Sequence, residues 1–305
     1  MSVLGVDVYS GYGAIDWVRV HAAGVRFAIV KCTEGNEPAR NDSAFARNVA
    51  GARANGIVVG AYHYGYPLRS GPMLPAGRSS KEQAERFFEA SKGLGGAPGD
   101  LPPALDFEWP ARWDQRFFVD ANGNGVRDPG EPLADQWKRW GVDASFLCEW
   151  GLECLEHMER LWGVIPIVYE YPAFRAALGV AGLSEAWRRY GYWIATYPGS
   201  ARSVWLPPAD AKPIIHPPWT GWDIWQFSAD GSPVRIDGIP VAPIDRNVMS
   251  EDTLRRLARL PMPRTETPIP PTERAPMVAI PPPPLVDWEI VHKSPFDDDP
   301  PPSAA

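Results

Sequence analysis

Short apolar, β-branched runs recur along the first 250 residues of the chain: at residues 4–8, 27–31, 58–64, 104–109, 165–169, 192–195, 224–227 and, more weakly, 241–244. Each is bounded by Gly, Pro or polar clusters and is short enough to read as a buried strand. Between the earlier ones lie stretches with apolar residues at helical spacing: 15–23, 43–55 ended by Gly56, 80–92 ended by Gly93, and a long one at 133–162. The later connections are irregular and rich in proline. Strand and helix in alternation predict parallel pairing through right-handed crossovers. The predicted class is therefore α/β: the elements close into a TIM-like (β/α) barrel, for which eight strands is the right number, or wind into an open sheet.

Composition narrows the classes of function. With 305 residues, 45% of them hydrophobic, and 14 Trp, the chain can bury one large core of about 250 residues. A formal net charge of −7 and the lack of a basic stripe argue against nucleic acid as a partner. No apolar run approaches the ~20 residues a membrane helix needs, so a membrane partner is not expected. The first residues run directly into a strand, without the basic and apolar regions of a signal peptide. Cys32, Cys148 and Cys154 are odd in number and lack metal-site spacing, and read as reduced, buried thiols.

Polar side chains interrupt these strands at one end. Asp7 ends the first, Lys31, Thr33 and Glu34 the second, His63 the third, Asp106 and Glu108 the fourth, Tyr169 the fifth, and Trp225 and Gln226 a late one, while Asp245 follows the last. Barrel enzymes collect their chemistry at the carboxyl ends of the strands. Asp106 and Glu108 are the sharpest signal: residues i and i+2 of a strand share a face, which puts these carboxylates about 6 to 7 Å apart along the backbone. Two acids on an apolar strand need a compensating partner or substrate, and a carboxylate pair is what hydrolysis of a glycosidic bond uses.

The ordered segments Gly5-Val6-Asp7-Val8 with Gly13-Ala14-Ile15-Asp16-Trp17, Phe27 to Gly35, Gly60-Ala61-Tyr62-His63-Tyr64, Pro103 to Glu108, Trp225-Gln226-Phe227-Ser228 and Asp245-Arg246-Asn247 resemble the motifs of the glycoside hydrolase family 25 lysozymes, the Chalaropsis-type muramidases. The resemblance spans residues 3 to about 248. It implies a modified TIM-like (β/α) barrel with fewer outer helices than the regular form, and hydrolysis of the β-1,4 bond between N-acetylmuramic acid and N-acetylglucosamine in peptidoglycan without a cofactor. By position, Glu108 matches the family's general acid and Asp106 its partner. Asp7 and Asp245 match two further acids of the catalytic cleft, and His63, Tyr169 and Trp225 fall on sugar-facing positions, to which Gln226, Glu34 and Tyr64 are added as substrate-binding candidates. Glu108 beside other carboxylates is expected to have a raised pKa. Three routes stay open for the nucleophile: a direct carboxylate, an inverting pair with water, or the substrate's own 2-acetamido group oriented by Asp106.

The chain departs from the family between Asp7 and Gly13, where Tyr9, Gly11 and Tyr12 replace the usual Ser, aromatic and Gln. The implied site of action is the bacterial wall, reached by a phage lysin released to the periplasm or carried on a virion, or by a dedicated secretion route. A chitinase-like enzyme would need acids where Leu101 and Ala104 stand. A catalytically silent wall-binding virion or tail module on the same barrel is the other class, against which the retained acids argue.

Two features lie outside that resemblance. Residues 120–131 fit a twelve-position calcium loop, with Asp120, Asn122, Asn124, Asp128 and Glu131 at ligand positions, Gly125 at the sixth and the Val126 carbonyl at the seventh. A structural Ca²⁺ there would order the insertion 109–134 as a wall of the substrate groove, with Trp109, Trp113 and Phe117 available for stacking on sugars. Beyond the barrel, assigned to residues 1–258, the extension 259–305 is proline-rich: 14 of the 35 prolines fall in residues 261–305. Such a segment lacks a core of its own and reads as a polyproline tail, or as a tether to a virion or protein partner.

Overall fold

The computed structural model describes residues 1–35, 38–67, 80–108, 144–178, 183–197, 204–208, 210–229 and 234–261. The calcium-loop candidate with the insertion around it, and the proline-rich extension past 261, lie outside the described residues. Eight strands close into a barrel in sequence order: β1 (Ser2–Val8), β2 (Val25–Glu34), β3 (Val58–Tyr64), β4 (Ala104–Asp106), β5 (Ile167–Glu170), β6 (Gly191–Ala195), β7 (Ile224–Ser228) and β8 (Asp245–Ser250). β1 through β7 run parallel to one another. The helices packed outside are α1 (Trp17–Ala22), α2 (Phe45–Ala54), α3 (Ser80–Ser91), α4 (Ala144–Trp162), α5 (Pro172–Leu178) and α6 (Glu251–Leu257). The described part of the long helix expected from residue 133 is α4.

The last strand corrects the sequence reading. It begins at Asp245, where the expectation had ended, and it runs antiparallel to both β7 and β1. Its amino-terminal end therefore lies at the same rim as the carboxyl ends of the other seven strands. Asp245 reaches the catalytic rim as the first residue of a reversed strand, not as one following a parallel strand.

Alternation along the strands divides the apolar side chains into two clusters. Phe27, Ile29, Tyr62, Ala104, Ile167, Tyr169, Trp193 and Ile224 fill the barrel interior. Val30, Leu105, Phe107, Val168, Trp225 and Phe227 pack outward with Phe87, Trp150, Leu155 and Trp162 of the helices. Helix α3 meets α4 through Phe87 and Trp162, whose ring centroids are 4.9 Å apart. Helix α1 starts at Asp16, whose side chain accepts hydrogen bonds from the Val18 and Arg19 amides. The three cysteines are buried thiols. Among the described residues no helix is long and apolar enough to cross a membrane.

Candidate active site

Above the interior packing, the carboxyl ends of the parallel strands and the start of β8 enclose a cleft of about 330 Å³, a size that admits sugar units around one linkage but cannot enclose a glycan polymer. Among the described residues its acids are Asp7, Glu34, Asp106, Glu108 and Asp245 and its cation is Lys31; Tyr9, Tyr12, Tyr62, Tyr64, Tyr66, Tyr169, Trp193 and Tyr197 form most of the remaining wall, with Gln226.

Asp106 is buried at the end of β4, and its Oδ1 has no hydrogen-bond partner among the described residues. Burial pushes its carboxyl well above the usual range, the charge of Glu108 pushes further, and Lys31 opposes both. Glu108 lies two residues on, past the end of the strand, and is half-buried on the same cleft.

Asp7, at the end of β1, is held from β7 and β8. Its Oδ2 accepts hydrogen bonds from Gln226 Nε2 at 2.9 Å and Asn247 Nδ2 at 2.6 Å. Gln226 in turn accepts at Oε1 from the Tyr169 hydroxyl at 3.1 Å and from the Tyr197 hydroxyl. The indole of Trp193 donates to Asn247 Oδ1 at 2.8 Å. These bonds fix the amide orientations, so donor N–H groups meet the acid. Burial pushes the Asp7 carboxyl up to about 6, against the hydrogen bonds from Asn247 and Gln226. Asp245 accepts from the Tyr12 hydroxyl at 2.9 Å.

A bulge shapes the second strand. The register of β2 on β3 shifts between Lys31 and Thr33, after which Glu34 pairs with Tyr64. Lys31 and Glu34 are three residues apart and would point to opposite faces of a regular strand; the bulge turns both into the cleft. Lys31 Nζ donates to Glu34 Oε2 at 2.7 Å and sits 5.1 Å from the centre of the Tyr64 ring. Arg40 and the Tyr66 hydroxyl bond Glu34 Oε1 at 2.9 and 2.8 Å. Burial raises the Glu34 carboxyl, but Lys31, Tyr66 and Arg40 outweigh it and hold it below the usual range.

Two expected sugar-facing residues are not in the cleft. His63 lies between Tyr62 and Tyr64, so alternation turns it outward, where it is fully buried, bonded to Thr33 Oγ1 at 2.8 Å and Gln83 Oε1 at 3.1 Å, and stacked on Phe87. Burial lowers its pKa to about 4. Trp225 precedes the inward Gln226 and is likewise turned outward, donating to the Thr196 carbonyl at 2.9 Å. Conversely, the structure adds Tyr12, Tyr197, Lys31, Trp193 and Asn247 to the site. Of these, Lys31 is already a polar residue at the end of the second strand in the sequence reading, and strand parity gives a signal for Trp193; Tyr12, Tyr197 and Asn247 have none as site residues. Among the described residues no group of three or more His, Cys, Asp or Glu is placed to hold a metal ion.

A closed barrel with a carboxylate pair on its fourth strand and two more acids across the same cleft defines a barrel glycoside hydrolase. Residues 6–236 match the sequence model of the family described as Glycosyl hydrolases family 25, and the chain belongs to that family; it is a hydrolase of the lysozyme type. It is 28% identical to Lysozyme M1 of Streptomyces globisporus over 258 residues, 84% of this chain and 70% of that protein. It is 23% identical to the N,O-diacetylmuramidase of Chalaropsis sp. over 57% of this chain and 68% of that one. Among solved structures, the bacterial lysozyme of Streptomyces coelicolor superposes with a TM-score of 0.61 at 24% identity, covering 85% of this chain and 96% of its own. The muramidase of Acremonium alcalophilum gives 0.58 at 25%, covering 84% and 98%.

Proposed function

We propose that the protein cleaves the β-1,4 bond between N-acetylmuramic acid and N-acetylglucosamine in bacterial peptidoglycan, with Glu108 as general acid and Asp106 orienting the 2-acetamido group of the muramic acid as the internal nucleophile. The supporting observation is the buried Asp106 Oδ1, which lacks a donor among the described residues, beside a half-buried Glu108. An acetamido N–H is a donor suited to that oxygen. Such a bond favours the ionised form of Asp106 and releases the proton that burial and Glu108 hold there. Glu108 is then the neighbouring carboxyl that carries a proton to the glycosidic oxygen.

As the C1–O bond breaks, the acetamido oxygen bonds to C1 and the leaving sugar departs with the proton of Glu108. Glu108, now a carboxylate, takes a proton from water as the water oxygen attacks C1, which restores the acetamido group with net retention. Asp7, held by Gln226 and Asn247, and Asp245, held by Tyr12, supply the opposite wall, where negative charge stabilises the positive character developing at C1. Chemistry of this kind uses the protein's carboxyls and the substrate alone.

The loop at 120–131 is a structural Ca²⁺ site in this reading, supported by its ligand pattern, and the proline-rich extension is a tether to a virion or protein partner. The place of action is the bacterial wall, as for a lysin released to it or carried on a particle. Digestion of purified peptidoglycan, reduction and mass spectrometry test the assignment. Reduced muramic acid ends made by the wild type and not by Glu108→Gln support it; glucosaminyl ends, or no new ends, overturn it.

A further inference from the structure

The segment in which this chain departs from its family's pattern forms one wall of the cleft. Tyr9 lines the same cavity as Asp106 and Glu108. Its ring meets that of Tyr12 edge to face, with centroids 5.1 Å apart and an interplanar angle of 67°. Tyr12 is itself anchored, by its hydroxyl on Asp245. Lys31 Nζ lies 6.0 Å from the Tyr9 ring centre.

Gly11 makes this placement possible. A Cβ there would lie 2.3 Å from Cε2, 2.5 Å from Cζ and 2.6 Å from the hydroxyl oxygen of Tyr9. The outer half of the ring thus lies directly across Gly11, in space that any other residue type would occupy. The glycine is required for room. An aromatic face braced by Tyr12, with a cation at one side and the catalytic acids across the cleft, suits the apolar C–H face of a pyranose ring, as protein aromatic rings use their faces and edges elsewhere.

We infer that Tyr9 is a specificity-determining residue, a stacking platform for one N-acetylhexosamine ring of the glycan, and that Gly11 is its positioning residue. This rests on the muramidase reading. The role is in binding: the platform touches a sugar flanking the scissile bond and does not enter the proton transfers, so its loss acts on KM more than on kcat.

The test compares Tyr9→Phe, Tyr9→Ala, Gly11→Ala and the double variant Tyr9→Ala/Gly11→Ala on soluble peptidoglycan chains, with melting temperatures measured in parallel. Binding of the same chains is also titrated calorimetrically to Glu108→Gln with and without Tyr9→Ala. The expected result is a KM raised roughly tenfold by Tyr9→Ala, with a smaller change in kcat and the Phe variant within about twofold of wild type. Gly11→Ala reproduces most of the rise, and the double variant is no worse than Tyr9→Ala alone, because both remove one contact. Wild-type KM in Tyr9→Ala, or additive effects of the two substitutions, overturns the platform. If the wild type cleaves no peptidoglycan, the muramidase reading fails instead; the calorimetric comparison then decides on Tyr9 by itself, equal affinities overturning the platform and a weaker Tyr9→Ala upholding it.

Discussion

Asp7 of β1 and Asp245 of β8 are paired residues across the antiparallel seam that closes the barrel. Two acids from opposite ends of the sequence are thereby set side by side, each with its own hydrogen-bond donors. Neither is free to reorient, since Gln226 and Asn247 hold one and Tyr12 holds the other.

Asp7 links stability to pH. Burial raises its carboxyl from 3.8 to about 6. A raised acid favours the fold while protonated, so its contribution is complete below the unfolded value and is lost as the pH climbs through about 6. Glu170, buried behind the site and raised from 4.5 to about 7 by burial, acts with the same sign. Asp7→Asn keeps an acceptor for Gln226 and Asn247 and removes the titration. Its melting temperature relative to wild type should improve by roughly 5 °C between about pH 4 and about pH 7.5. Calorimetric scans at the two pH values measure this; parallel curves would show that Asp7 is ionised throughout.

The carboxylate pair separates by role. Glu108→Gln should lose about 10³-fold in kcat, the range of general acid catalysis, with KM little changed. Asp106→Asn should lose a similar factor, and in the wild type the first product formed should be the β-anomer, as retention requires. Reducing-end assays and NMR of the nascent product read these outcomes. An α-anomer as first product would exclude the acetamido route.

His63 is expected to behave as a core residue. His63→Ala removes a fully buried ring together with its bonds to Thr33 and Gln83, at a cost of about 2 to 4 kcal/mol. KM should stay within about threefold of wild type at temperatures where the variant is folded. Chemical denaturation and steady-state kinetics on the same preparation check both halves.

Chelation addresses the 120–131 loop. EDTA should lower the melting temperature of the wild type, added Ca²⁺ should restore it, and Asp120→Ala should be insensitive to either, because a site that binds only the folded chain stabilises it by mass action. A wild type indifferent to EDTA removes the calcium assignment.

Seven strands and the four acids were legible because β-branched runs and strand-end polarity are local signals. β8 was not. Arg246 and Asn247 make it look polar, yet both are fully buried, Arg246 against Ser228 and the Val204 carbonyl and Asn247 against Asp7 and Trp193. Parity explains the other misplacements. Trp225 and Gln226 are consecutive and cannot both face the cleft, and His63 sits between two inward tyrosines. Lys31 and Glu34 break parity in the opposite sense, through a bulge that single-residue patterns do not reveal. Tyr12 is anchored in the site by its hydrogen bond to Asp245, more than 200 positions away in sequence.

The antiparallel closing strand also sets when the site comes into being. Asp7 is synthesised more than 200 positions ahead of Gln226, Asp245 and Asn247, which hold or face it. A nascent chain halted before β8 carries Asp106 and Glu108 yet has neither a closed barrel nor an opposite acidic wall. The complete cleft, with acids on both of its walls, therefore exists only once β8 has been made and has paired with β1.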